Sequence, residues 1–135
     1  VEKSLRANRK YFLTDPGLEN AINKNRELYK ANQGPTVESA VQEHMHAKLE
    51  GVDELFYWRD SYEVDIVRKR GKDILPIEVK YSLSVDGKDI RGLLDFMDEF
   101  KVKMGVVVTK ENLERKNYED RDVLLIPAWL FLLLA

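Results

Sequence analysis

Residues 62–82 alternate apolar and charged positions in two runs, "YEVDIVRKR" and "ILPIEVKYS", separated by Gly71-Lys72-Asp73. A period of two is the mark of a strand with two different faces, and a glycine-centred break between two such runs is a hairpin signal. Segments 62–70 and 74–82 are therefore predicted to be neighbouring antiparallel strands. Upstream, "ELFYWRD" (54–60) is aromatic and strand-like. Before it, "TVESAVQEHMHAKLEG" (36–51) repeats apolar residues at helical spacing, with Val37, Val41 and Met45 on one face. Thr36 reads as its N-cap and Gly51 as its C-cap.

Downstream, "DIRGLLDFMDEF" (89–100) is an amphipathic helix with Ile90, Leu93, Leu94 and Met97 on one side, and "KMGVVVT" is a buried strand. The charged stretch 111–122 reads as a connector, partly helical. "VLLIP" is a last strand, followed by a short buried helix whose Trp129 and Leu130 to Leu134 pack on the sheet. The order after residue 35 is α-β-β-β-α-β-β-α. It predicts an α/β fold, a mixed sheet with helices on both faces.

The first residues are organised differently. "RKYFLTDPGLENAI" reads as a short strand, a turn and a helix capped by Asp15, with Pro16 at its first position. The polar run that follows ends at Gly34-Pro35, taken as a break. Residues 1–35 are thus expected to be an appendage packing on the core or on a second copy, and 36–135 the main domain.

Composition narrows the picture. The chain has 135 residues, 44% hydrophobic and 34% charged, enough for one domain with a substantial core. Its net charge of −2 lacks the basic excess of a stand-alone nucleic-acid binder, so any DNA contact must use a local patch. Absence of cysteine excludes disulfides, thiolate metal sites and a cysteine nucleophile, and suits a cytoplasmic protein. The chain begins at Val1 without an initiator Met and reads as a fragment of something longer. The apolar tail is shorter than the ~20 residues that span a bilayer and Pro127 interrupts it, so no membrane is expected.

The chemistry lies in the hairpin. Glu63 and Asp65 are two apart, as are Glu78 and Lys80, so each pair shares a strand face. If the strands pair, Asp65 and Glu78 lie side by side. Two carboxylates about 4 Å apart repel by roughly 4 kcal/mol at an effective dielectric near 20. Lys80 offsets part of that, and a hard divalent cation, Mg²⁺ or Mn²⁺, would offset more. Removing the acids is expected to stabilise the metal-free fold slightly.

This pattern resembles the PD-(D/E)XK nuclease superfamily, with its restriction-endonuclease-like αβββαβ core. The matching residues are Glu38 on the first core helix, Asp65 on the second strand and Glu78-Val79-Lys80 on the third. Val64 stands where the name motif has proline, and the following helix lacks the glutamine some members carry. Together "RKYFLTDPGLENAI", "LFYWRDSYEVDIV", "PIEVKYS", "GVVVT" and "IPAWLFLLL" resemble the C-terminal domain of a group of archaeal and bacterial AAA+-type ATPases. No GxxxxGK[ST] phosphate loop is present, so ATP binding would belong to the upstream domain.

The resemblance implies that Asp65 and Glu78, with the Val79 carbonyl, ligate Mg²⁺ or Mn²⁺. Lys80 would orient the attacking water and stabilise developing charge, and Glu38 would act through water or a second metal. The products would be a 5′-phosphate and a 3′-hydroxyl. Arg68, Lys69, Arg70 and Lys72 either touch phosphates or form a solvated turn, and Tyr81 and Ser82 are further candidate DNA contacts. Tyr57 and Trp58 read as core before base-stacking, and His44 and His46, two apart on a helix, as ordinary residues. Two functions compete: a metal-dependent deoxyribonuclease attached to an ATPase, or a non-catalytic DNA-binding or dimerisation module that gates it. The expected partners are DNA, the upstream ATPase domain and, in one arrangement, a second copy.

Overall fold

The two alternating runs do pair. The structure, a computed structural model, describes residues 33–135; the predicted strand, turn and helix over 9–22 lie outside the described residues. Strand β1 (Asp53–Arg59) runs antiparallel to β2 (Glu63–Arg70), and β2 antiparallel to β3 (Asp73–Lys80). Gly71 has φ +60 in the turn between Arg70 and Asp73. A left-handed residue at the first central position fits a two-residue hairpin loop and suits glycine, which lacks the Cβ that would clash.

Helix α1 (Gly34–Ala47) precedes this meander, and α2 (Arg91–Glu99) follows it. Then come β4 (Met104–Thr109), β5 (Glu114–Tyr118), β6 (Arg121–Pro127) and α3 (Ala128–Leu134). All six strands form one sheet in the order β1-β2-β3-β4-β6-β5. The inner strands β3, β4 and β6 are parallel, with α2 making the crossover from β3 to β4; β1, β2 and β5 complete the sheet by antiparallel pairing. The predicted α/β mixed sheet is thus observed.

Each face of the sheet buries its own cluster. On one side Ile90, Leu93, Phe96 and Met97 of α2 and its approach cover Val64, Val107 and Val123. On the other, Val41 and Met45 of α1 and Phe131 of α3 cover Ile66, Ile77 and Val108. Val107 and its neighbours Val106 and Val108 fall in opposite clusters, as strand alternation requires.

Several boundaries differ from expectation. Helix α1 starts at Gly34, before Thr36, with Gln33 at the N-cap position and Pro35 in its first turn. Proline is tolerated there because the missing N–H has no intrahelical partner anyway, so Gly34-Pro35 opens the helix instead of breaking the chain. The helix stops at Ala47 with Lys48 as C-cap, and Gly51, φ +57, serves the turn into β1. The charged connector is not helical: Glu114–Tyr118 is an edge strand paired only with β6. Glu119 and Asp120 both take positive φ, 50 and 69, making the tight turn that joins the two strands. Charged side chains on such an edge discourage pairing with another chain. In α3, Ala128 and Phe131 are buried, but Trp129, Leu133 and Leu134 are exposed, so only part of the apolar tail packs on the sheet. A single helix can turn only one side inward.

Candidate functional site

The regular pairing of β2 with β1 fails at one place. Phe56 pairs with Val67 and Trp58 with Val64, so Tyr57 alone stands opposite Asp65 and Ile66. Two residues against one is a β-bulge. Its effect on the faces is direct: Val64 and Val67, three apart, fall in the same apolar cluster, while Ile66 joins the opposite one. Asp65 does not follow simple alternation. Its carboxylate reaches into the gap beside β3, where Oδ2 accepts the Val79 N–H at 2.8 Å.

The β2–β3 ladder has its last rung at Ile66 and Ile77, so Asp65 and Glu78 meet at the next position. Glu78 Oε2 accepts the Asp65 backbone N–H at 3.4 Å. Both acids are buried, 8% and 7% exposed. Lys80, on the same strand face as Glu78, places Nζ 3.3 Å from Glu78 Oε1. Burial first, and the Asp65 charge second, push the Glu78 carboxyl up to about 7 against the pull of Lys80.

These side chains share a cleft of about 290 Å³. Strands β2 and β3 supply Glu63, Asp65, Glu78 and Lys80, with Tyr62 at the rim; the opposite wall is Lys88, Asp89, Arg91 and Gly92. Gly92 lets α2 lean on the start of β2, for a Cβ there would run into the Glu63 carbonyl. Glu63 is half exposed and pairs with Arg59 at 3.2 Å.

The structure therefore brings together Asp65, Glu78 and Lys80, with Glu63 beside them. Glu38 is not among the residues lining the cleft; its helix covers the sheet face opposite Glu78 and Lys80. The basic turn lies elsewhere too. Arg70 is five residues along β2 from Asp65, roughly 17 Å at about 3.4 Å per residue, and its guanidinium grips Asp53 with two 2.6 Å hydrogen bonds. Arg68, Lys69 and Lys72 belong to that same end. Tyr81 packs against the α1 side, with the Lys110 ammonium 5.8 Å from its ring centre, and Ser82 donates its hydroxyl to the Ser84 carbonyl. Trp58 packs edge-on against Phe96 and Phe100, a structural role. His44 Nε2 donates to the Ala135 carbonyl at 2.7 Å, tying α1 to the end of α3.

Lys88 and Arg91 are the cleft residues that sequence reasoning missed. A signal existed: a polar loop leading from the carboxyl end of a parallel strand into its crossover helix is where open α/β sheets place ligand contacts.

Among the described residues no group of three or more His, Cys, Asp or Glu side chains gathers as a metal cage. Two carboxylates and a strand carbonyl are a smaller donor set, of the kind that Mg²⁺ accepts when water and substrate phosphate complete its shell. Val79 carries its carbonyl on the same strand edge as the N–H that Asp65 accepts, so the third donor faces the same gap. The donors present fit the cation.

Among the described residues no helix is long and apolar enough to cross a membrane. A family model described as "Domain of unknown function (DUF4143)" matches residues 33–131. Such domains are often found at the C-terminus of AAA-ATPase-like proteins. No curated protein and no solved structure matches the chain.

Proposed function

The chain belongs to the DUF4143 family, and from that premise and the geometry of the cleft we propose a nuclease-like module that hydrolyses DNA phosphodiester bonds with Mg²⁺ or Mn²⁺ and is carried by an ATPase. One observation supports this above the rest: two carboxylates, Asp65 and Glu78, are buried side by side where strand pairing fails, with Lys80 alongside. Backbone hydrogen bonds satisfy part of each acid but do not remove the repulsion between them, and perturbed acids in a cleft are candidates for chemistry.

Asp65, Glu78 and the Val79 carbonyl would hold the cation, which when bound supplies Lewis acidity to the phosphate and lowers the pKa of water. The remaining work falls to the protein. The Val79 N–H fixes the Asp65 carboxylate, so the acid is oriented before any ligand arrives. Glu78 must lose its proton to become a ligand, which favours metal uptake above the middle of the pH range. Lys80, 40% exposed and held by Glu78, is placed to orient the attacking water and to stabilise negative charge on the phosphate.

The test is calorimetric Mn²⁺ titration of the wild type and the Asp65→Ala, Glu78→Ala and Lys80→Ala variants, beside cleavage assays on linear, nicked and branched DNA. Loss of either acid is expected to abolish the binding heat. Lys80→Ala is expected to keep it and to lower cleavage by about 10²-fold or more. Equal Mn²⁺ affinity in wild type and Asp65→Ala would falsify the metal site.

A second reading, a non-catalytic module that docks on a partner, is favoured by the exposed Trp129, Leu133 and Leu134 of α3. Normal Mn²⁺ binding with no cleavage of any substrate decides for it.

A further inference from the structure

The wall of the cleft facing the acids is built as carefully as the acids are. Between Lys80 and α2 the chain is pinned twice, by Val85 at 4% exposure and Ile90 at 1%. Between these anchors two aspartates lock one another. Asp86 accepts the backbone N–H groups of Lys88 and Asp89, and Asp89 accepts the N–H of Asp86 at 2.9 Å. The Asp89 carboxylate is thus engaged with the backbone of its own loop. Lys88 sits on this fixed turn and lines the cleft. Arg91 follows on the first residue of α2, its guanidinium 5.7 Å from the centre of the Tyr62 ring at the cleft rim.

Neither Lys88 nor Arg91 has an ion-pair partner among the described residues, whereas Arg59, Arg70, Arg115 and Arg121 all do. The charge changes sign on the side away from the loop. Past Tyr62 and Gly92 the cleft adjoins a second hollow of about 170 Å³, whose charged lining is Asp60, Asp95 and Glu99. A polyanion is attracted to the loop side and repelled from the other.

We propose that Lys88 and Arg91 form a phosphate-binding subsite that seats a backbone phosphate next to the scissile one, on the loop side of the cleft only. This rests on the reading of the cleft as a phosphodiester hydrolase and names how that site holds its substrate. The loop is preformed, so the subsite spends little ordering entropy on binding. Arg91, planar and stacked over Tyr62, is suited to a forked contact with two phosphate oxygens; Lys88 acts as a point charge.

The experiment uses the whole 135-residue chain and a fluorescein-labelled DNA oligonucleotide, with anisotropy read over a series of salt concentrations in Mn²⁺ and again in EDTA. The proteins are the wild type, Lys88→Gln/Arg91→Gln, and Lys88→Arg. Both positions are exposed, so the variants should unfold at the wild-type temperature. The double variant is expected to bind at least about tenfold more weakly at low salt, with the slope of log K against log salt flattened by about 1.4–1.8, the loss of two phosphate contacts. Lys88→Arg should keep the wild-type slope, and Mn²⁺ titration should be unchanged in all three. Equal affinity and slope in the wild type and the double variant, or a wild type that binds DNA in neither condition, overturns the subsite. A wild type that takes up no Mn²⁺ overturns the hydrolase reading alone, because Lys88- and Arg91-dependent binding in EDTA would still stand.

Discussion

The β1-β2-β3 meander carries two carboxylates, Asp53 on β1 and Glu78 on β3, that their surroundings push in opposite directions. At the turn end, Asp53 faces Arg70, whose two hydrogen bonds hold the acid down at about 2. At the open end, burial and the neighbouring Asp65 push Glu78 up to about 7. The turn end is a regular ladder closed by a glycine turn, its charges matched. At the open end the ladder stops, a bulge intervenes, and two buried acids share a cleft with one half-shielded lysine. The first arrangement is explained by folding alone. In the second the ionised form of Glu78 opposes folding, and that opposition is what marks it as a candidate site.

The contrast can be broken by experiment, and the largest effect is expected at Glu78. Its folded-state pKa lies above the ordinary value of 4.5, so between 4.5 and about 7 the native state binds more protons than the unfolded one. Stability must then fall as pH rises through that window. A shift from 4.5 to about 7 corresponds to about 3 kcal/mol as an upper bound. Glu78→Gln is expected to stabilise the metal-free protein by up to that amount at pH 8, with little effect at pH 4.5, and to flatten the urea midpoint between the two. A variant that keeps the wild-type pH dependence would show that Glu78 is not under this strain.

Asp65 should behave in the opposite sense, against the simple expectation that removing either acid relieves repulsion. Its carboxylate is the acceptor for the Val79 N–H, which strand pairing leaves without a backbone partner. Asp65→Ala relieves the repulsion but orphans a buried donor, a loss of about 1–3 kcal/mol. A net destabilisation of about 1 kcal/mol is expected, with Asp65→Asn closer to wild type because it keeps an acceptor. Chemical denaturation of the two variants side by side decides the point; an Asp65→Ala protein more stable than Asp65→Asn would contradict it.

The smallest effect belongs to the turn end. Arg70→Gln breaks an ion pair whose arginine is half exposed, and such pairs contribute little once salt screens them. A slight drop in melting temperature is expected in dilute buffer and none at high salt. The Asp53 contribution should persist at neutral pH and vanish as pH falls below 3.8 toward about 2.

Much of this architecture was legible in the sequence. The hairpin showed itself through alternation and Gly71, and α2 through the spacing of Ile90, Leu93, Leu94 and Met97. The spacing of Glu78 and Lys80 placed them correctly, because nothing interrupts β3 between them. Asp65 was found for a reason that proved incomplete. Alternation would set Val64 and Ile66 on one face, and the extra residue of a bulge leaves no composition signal in "EVDIV". Strand β5 was hidden because "ERKNY" is as polar as a surface helix, and its turn uses Glu119-Asp120 where a glycine would have announced it. Glu38 was placed by its order along the chain, but order does not tell which face of a sheet a helix will cover. Lys88 escaped because a loop has no period to read, and Arg91 because its place at the start of α2 marks it only as a polar helix position.

The bulge at Asp65-Ile66 also makes the site depend on the number of residues in β2. Substitutions in β2 alter one side chain at a time, and the pairing survives most of them. Deleting Ile66 would leave Tyr57 opposite a single residue and restore regular alternation. Asp65 would then point away from Val64 and Val67, into the apolar space that Ile66 fills beneath α1. No replacement elsewhere in the strand reverses that. The site is therefore encoded in a length as much as in residue identities.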